Sequence, residues 1–194
     1  TQDTRDNIYN PSKGYILSGT IENAGGFLGG NKSFMKGTAT AAWYHTFFGK
    51  VVLELKVRGG VVNAYGDSDS VPIYERFFAG GANTIRGYKE RAIGPRDPGS
   101  NDPIGGEALG LGNAEITFPI YEKLLKGAVF FDFGNVHAHA SDFFTWGDIK
   151  SGAGLGVRVK TPIGPVRLDY GYPLVPNNND KREGEFYFSM SHGF

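Results

Sequence analysis

Apolar and polar side chains alternate with a period of two along much of the chain. Between residues 149 and 160, one set of alternate positions is mostly apolar and the other holds glycines and cations. Successive side chains of a β-strand point to opposite faces, so this pattern predicts a strand with one apolar face. Residues 166–172 and 184–194 repeat it. The apolar face of the last strand carries His192 and Phe186, Phe188, Met190 and Phe194.

Five earlier segments are also predicted as strands, although their alternation is less regular. They comprise residues 14–23, 33–46, 51–61, 107–118 and 125–134. Together with the three segments above they make about eight strands of about ten residues, which is the length needed to cross a bilayer at a tilt.

The connections between these strands alternate between short and long. The short ones are residues 47–50, 119–123 and 162–165, and the long ones are residues 23–32, 64–106, 137–148 and 173–184. Tight turns at one end and long loops at the other are typical of outer-membrane barrels. We therefore predict an all-β fold in a single domain over residues 1–194. It is an antiparallel transmembrane β-barrel of about eight strands with one long extracellular loop.

A soluble antiparallel sandwich is the alternative fold, because it also alternates its faces but turns the apolar face inward. Two features favour the membrane barrel. The polar faces carry charges in mid-strand, such as Lys56, Glu115 and Asp132, as expected for a wet lumen. The apolar faces are rich in Phe and Tyr near strand ends, as in the aromatic girdles of membrane barrels.

Composition narrows the chemistry. Twenty basic and twenty acidic residues leave no net charge, which argues against a nucleic-acid partner. The absence of cysteine excludes a thiolate metal site and a cysteine nucleophile. His137 and His139 share one face, but two ligands are too few for a structural metal site. We expect no catalytic residue, metal or cofactor, and hence a protein that is not an enzyme.

The longest loop carries the most specific motif in the chain. Residues 75–88 contain Gly80-Gly81 and end on the tetrapeptide Ile85, Arg86, Gly87 and Tyr88. This segment resembles the sixth extracellular loop of the BamA-type outer-membrane protein assembly factors. Four further segments resemble that family in the same order along the chain, namely residues 4–14, 113–115, 130–136 and 164–171. Phe194 and the aromatic face before it resemble the family's C-terminal signal strand.

The resemblance implies that the chain corresponds to the C-terminal half of such a barrel. The POTRA domains and the first half of the barrel are missing from it, through an engineered truncation or in a natural short form. In the family the loop folds back into the lumen. Arg86 then needs partners there, and the resemblance implies Asp132 and Glu115, since a guanidinium makes paired planar hydrogen bonds to carboxylates. Gly87 would permit a close approach or a positive φ, and Tyr88 would pack against the wall.

The position of this loop conflicts with a small closed barrel. Eight strands enclose an interior that side chains fill, with no room for a loop of about forty residues. If the chain closes alone, the loop lies outside. If the loop lies inside, the sheet must be wider, and a second copy of the chain or another chain must complete it.

The implied function is the folding and insertion of β-barrel proteins into the bacterial outer membrane. The implied partners are membrane lipids, unfolded outer-membrane proteins, periplasmic accessory lipoproteins and, in a homodimer, a second half-barrel. The last strand would act as an edge to which client strands add. A passive pore, including a two-partner secretion type transporter, is the alternative that ion conductance without client folding would favour. A barrel enzyme is the third hypothesis, which an active-site-directed reagent would expose.

Overall fold

The computed structural model describes residues 1–26, 29, 32–66, 68–121, 124–145, 147–161, 164–176 and 183–190. Within them the strands form one antiparallel sheet in which neighbours in sequence are neighbours in space. In order they are β1 (Gln2–Asp3), β2 (Gly14–Ala24), β3 (Phe34–Phe47), β4 (Val51–Ala64), β5 (Ala108–Tyr121), β6 (Leu125–His137), β7 (Lys150–Thr161), β8 (Gly164–Pro173) and β9 (Glu185–Met190). Two short 3-10 turns, Ile73–Glu75 and Ala140–Phe144, lie in connections.

The predicted all-β antiparallel fold is confirmed, and each of the eight predicted strands is present. The alternation did not reveal β1, because its two residues, paired to β2 at Leu17 and Ile16, are too few to establish a period. The structure extends β4 to Ala64 and β6 to His137. Residues 162–163 of a predicted turn and residues 191–194, including Phe194, lie outside the described residues.

One face of the sheet is apolar and exposed. Its side chains include Ile21 (81% exposed), Val57, Leu155 and Phe186 (74% exposed). A soluble sandwich would bury such a face against a second layer, whereas a transmembrane barrel turns it toward lipid. No helix among the described residues is both long enough and apolar enough to cross a membrane.

The buried apolar core lies on the opposite, inner face. The described part of the segment that joins β4 to β5, residues 65–66 and 68–107, covers this face and packs apolar side chains onto it. The core combines the loop residues Val71, Phe77, Ala79, Ile85, Tyr88, Ala92 and Ile93 with the strand residues Phe34, Val62, Leu109, Leu111 and Val136. The inner face is therefore less polar than the expectation of a wet lumen, because part of it packs against the loop instead of water.

The inner face is concave. One side chain of the loop, Arg86, contacts carboxylates on β5, β6 and β8. In a flat sheet β5 and β8 would be about 14 Å apart, so the sheet has to curve to bring these carboxylates to one side chain. Within the described residues β1 pairs only with β2 and β9 only with β8, so β1 and β9 form the two edges of the sheet. Of the two positions considered for the loop, the structure shows the inner one.

Candidate functional site

The site is built where the loop motif meets the inner face. Two antiparallel bridges, Phe77 with Gly106 and Ala79 with Ile93, fold the loop back on itself. The loop motif lies in the stretch of chain between Ala79 and Ile93, which places it on the inner face of the sheet. Ile85 is fully buried in the apolar core, and Arg86 is 4% exposed.

Arg86 forms a two-point hydrogen bond with Asp132 on β6. Its Nε donates to Oδ2 at 2.7 Å and its Nη2 donates to Oδ1 at 2.9 Å. The backbone N–H of Arg86 also donates to Oδ2 at 3.0 Å, so this carboxylate holds both the side chain and the main chain. Only arginine has the planar fork that this geometry requires.

Two more carboxylates and an aromatic ring complete the surroundings of Arg86. Its Nη1 donates to Glu115 on β5 at 2.7 Å and to Asp169 on β8 at 3.3 Å. The guanidinium carbon lies 3.4 Å from the ring centre of Phe130, which is a cation–π contact away from water. Burial by itself lowers the pKa of Arg86, but the hydrogen bond and charge of Asp132 and the charge of Glu115 raise it overall.

Two further arginines balance the charge of these carboxylates. Arg158 on β7 donates from Nη2 to Glu115 at 2.8 Å and from Nη1 to Asp169. Arg167 on β8 donates to Asp169 at 3.1 Å. Three cations and three carboxylates thus form one network of zero net charge, in which Asp132 and Asp169 are almost fully buried and Arg167 is partly exposed. Such a network is stable only when every member is paired.

Glycines provide the space that the motif occupies. Gly87 has φ +100°, and a Cβ there would lie 2.7 Å from the carbonyl carbon of Tyr172. A Cβ on Gly152 of β7 would overlap the carbonyl oxygen of Arg86. Only residues without a side chain allow the loop backbone to lie this close to the sheet.

Tyrosines anchor the motif on the side of the last strands. The Tyr88 hydroxyl donates to the carbonyl oxygens of Ser151 at 2.9 Å and of Val175, and burial raises the pKa of Tyr88. The hydroxyl of Tyr187 on β9 accepts the N–H of Gly87 and donates to the carbonyl of Tyr88, both at 2.8 Å. Residues 86–88 therefore contact β5, β6, β7, β8 and β9.

The structure brings together the six predicted residues of the loop site, namely Ile85, Arg86, Gly87, Tyr88, Asp132 and Glu115. The predicted C-terminal residues lie elsewhere. Phe186 and Phe188 point outward from β9 and are exposed, and Met190 is half-buried. They take no part in the network around Arg86.

Sequence reasoning missed several members of the network. Strand alternation placed Arg158, Arg167, Asp169 and Tyr187 on polar faces, yet it contains no information on which of these faces meets the loop motif. Phe130 lies two residues before Asp132, so the alternation places it on the same face of β6, but only the structure shows that it packs against the guanidinium of Arg86.

The site anchors the loop to the inner face of the sheet. Its ionisable groups pair with one another, and no group of three or more metal-ligating side chains among the described residues could hold a metal ion. A sequence model of the Omp85 superfamily domain matches residues 1–194, the whole chain. The chain belongs to the Omp85 superfamily.

Two curated relatives carry the name of the family that the sequence motifs resemble. The chain is 39% identical over its full length to the outer membrane protein assembly factor BamA of Nitratidesulfovibrio vulgaris, of which it covers 25%. It is 31% identical over 91% of its length to BamA of Neorickettsia risticii, of which it covers 24%. The resemblance to BamA-type proteins is thereby confirmed.

A solved Omp85 structure shares the fold. The crystal structure of Haemophilus ducreyi BamA lacking POTRA domains 1–3 superposes with a TM-score of 0.77 and 25% sequence identity, covering 95% of this chain and 39% of that one. The chain spans about a quarter of the length of the curated relatives it matches.

Proposed function

We propose that the protein carrying this chain folds and inserts β-barrel proteins into the bacterial outer membrane. The observation that carries the proposal is the anchoring of the loop motif Ile85–Tyr88, called the Arg86 motif below. It is fixed on the inner face of a sheet whose outer face is apolar. Such an anchor would let the sheet keep its shape while a strand at its edge pairs with another chain. The names of the BamA relatives support the same function.

The proposed partners follow from the two faces and the edge. The exposed apolar face suits membrane lipid. The β9 edge has backbone groups that can pair with an extended strand of an unfolded client protein. Accessory lipoproteins in the periplasm and a second copy that completes the barrel are further proposed partners. The buried groups serve structure in this proposal, and the protein breaks and forms no covalent bond.

Reconstitution tests the proposal. The protein is placed in liposomes of outer-membrane lipids, a urea-unfolded barrel client is diluted in, and the folded fraction is followed by heat-modifiable mobility on gels. We expect faster client folding than in liposomes that contain an unrelated barrel, and loss of the acceleration in Arg86→Ala. Ion conductance with unaccelerated client folding would instead support the passive pore or secretion transporter.

A further inference from the structure

Tyr187 is the point where the loop motif touches the edge of the sheet. It lies on β9, the last strand, whose described residues pair only with β8, through six residue pairs. The two hydrogen bonds from the Tyr187 hydroxyl to the loop motif add to this ladder in holding β9 in place.

The Tyr187 hydroxyl uses both of its hydrogen-bonding capacities on the motif. It accepts the N–H of Gly87 and donates to the carbonyl of Tyr88, each at 2.8 Å. Both partners are main-chain groups of the residues that directly follow Arg86. Both hydrogen bonds of the hydroxyl therefore form only when the motif backbone lies on the inner face as observed, which we call its docked conformation.

The docked conformation depends in turn on the ion-pair network. Asp132 binds the backbone N–H of Arg86 as well as its guanidinium, and Gly152 and Gly87 allow the close approach. A shift of the Arg86 backbone would therefore move the Gly87 N–H away from Tyr187. The path from the network to β9 runs through one hydroxyl and one short stretch of backbone.

We propose that Tyr187 is a positioning residue that makes the attachment of β9 depend on the docking of the Arg86 motif. When the motif is docked, the hydroxyl ties β9 to the loop backbone on the inner face. When the motif leaves, β9 loses these two hydrogen bonds and opens more readily as an edge. The coupling joins two segments of one chain, and it can be tested without any client protein.

The test compares Tyr187→Phe with Tyr172→Phe in the detergent-solubilised protein by amide hydrogen exchange. Tyr172 lies on the outer face of β8 and is 41% exposed, so it is a matched control for loss of a tyrosine hydroxyl. In Tyr187→Phe we expect the amides of Gly87 and of residues 185–190 to exchange about tenfold faster, as expected for one to two lost hydrogen bonds. The amides that pair β5 with β6 should keep their protection in both variants, which shows that the sheet is folded.

A double-mutant cycle separates coupling from simple loss of a contact. Arg86→Lys should accelerate exchange in β9 when Tyr187 is present and should have no further effect on β9 in the Tyr187→Phe background. Equal acceleration in both backgrounds would overturn the proposal, as would unchanged β9 exchange in Tyr187→Phe.

A second readout does not need the tyrosine variant. The chain contains no cysteine, so Phe188→Cys provides a unique site for a nitroxide label on the exposed face of β9. We expect Arg86→Lys to raise the mobility of this label. An unchanged spectrum would contradict the coupling, whatever the behaviour of Tyr187→Phe.

Discussion

Arg86 and Asp132 share a two-point hydrogen bond on the inner face of the sheet, with N–O distances of 2.7 and 2.9 Å. They are 46 residues apart in the sequence, and Asp132 has no exposed surface. A carboxylate in such a place is stable only with a cation beside it. This pair joins the loop to the sheet and is the basis of the first prediction.

Replacing Arg86 should release the loop. Arg86→Ala strands Asp132 in a buried position, and breaking one side of a buried ion pair costs about 3–5 kcal/mol. We expect rapid protease cleavage within residues 65–107 and, if the proposed function holds, slower client folding in the reconstitution assay. Arg91→Ala is the control, because Arg91 is exposed in the same loop. Equal resistance to protease in wild type and Arg86→Ala would contradict the role of Arg86.

Arg158 should matter almost as much, although it does not touch the loop motif through any hydrogen bond of its own. It pairs with both Glu115 and Asp169, and its removal leaves two buried carboxylates competing for Arg86 and Arg167. We expect Arg158→Gln to lower the free energy of unfolding by about 2–5 kcal/mol in urea titrations in micelles. Lys160→Gln, on the same strand but exposed, should change it little. Similar losses in the two variants would argue that Arg158 contributes only general charge.

The lack of a side chain at Gly152 should matter for the position of the loop in addition to the ion pairs. In Gly152→Ala the new methyl group overlaps the Arg86 carbonyl oxygen, so the loop backbone has to move. We expect a loss of about 1–3 kcal/mol, as for other overpacked sites, together with faster proteolysis of the loop. Gly110→Ala serves as the control, because a Cβ at Gly110 has no atom within 4 Å. The prediction fails if both alanine variants protect the loop equally.

The outer part of the loop should respond to acid through Asp97. The backbone N–H groups of Ser100 and Gly99 donate to its carboxylate and lower its pKa. A lowered pKa means that the turn is fully stabilised above the usual value of about 3.9 and loses that support as pH falls through the lower, folded-state pKa. We expect the amide NMR signals of these two residues to shift over that acidic range. In Asp97→Ala this titration should disappear, and its persistence there would assign it to another group.

The alternation along the sequence determined the strands and their faces. A period of two is a local property of an extended chain, and long strands such as β4 and β7 contain enough residues to display it. The motif Ile85–Tyr88 was recognisable because its residues are contiguous. The two-residue β1 was missed because two residues are too few to show a period.

The resemblance indicated Asp132 and Glu115 as partners of Arg86, and the tertiary structure decided which other polar side chains join them. Arg158 and Asp169 were visible as charges on polar faces, but their place in the network around Arg86 depends on sheet curvature and strand register, which are set by backbone pairing between distant segments. The contact of Tyr187 with Gly87 joins residues 100 positions apart. The sequence by itself thus determined the strands, the outward apolar face and the loop motif. The fold decided the ion-pair network and its link to the last strand, because those contacts exist only once the loop lies inside a curved sheet.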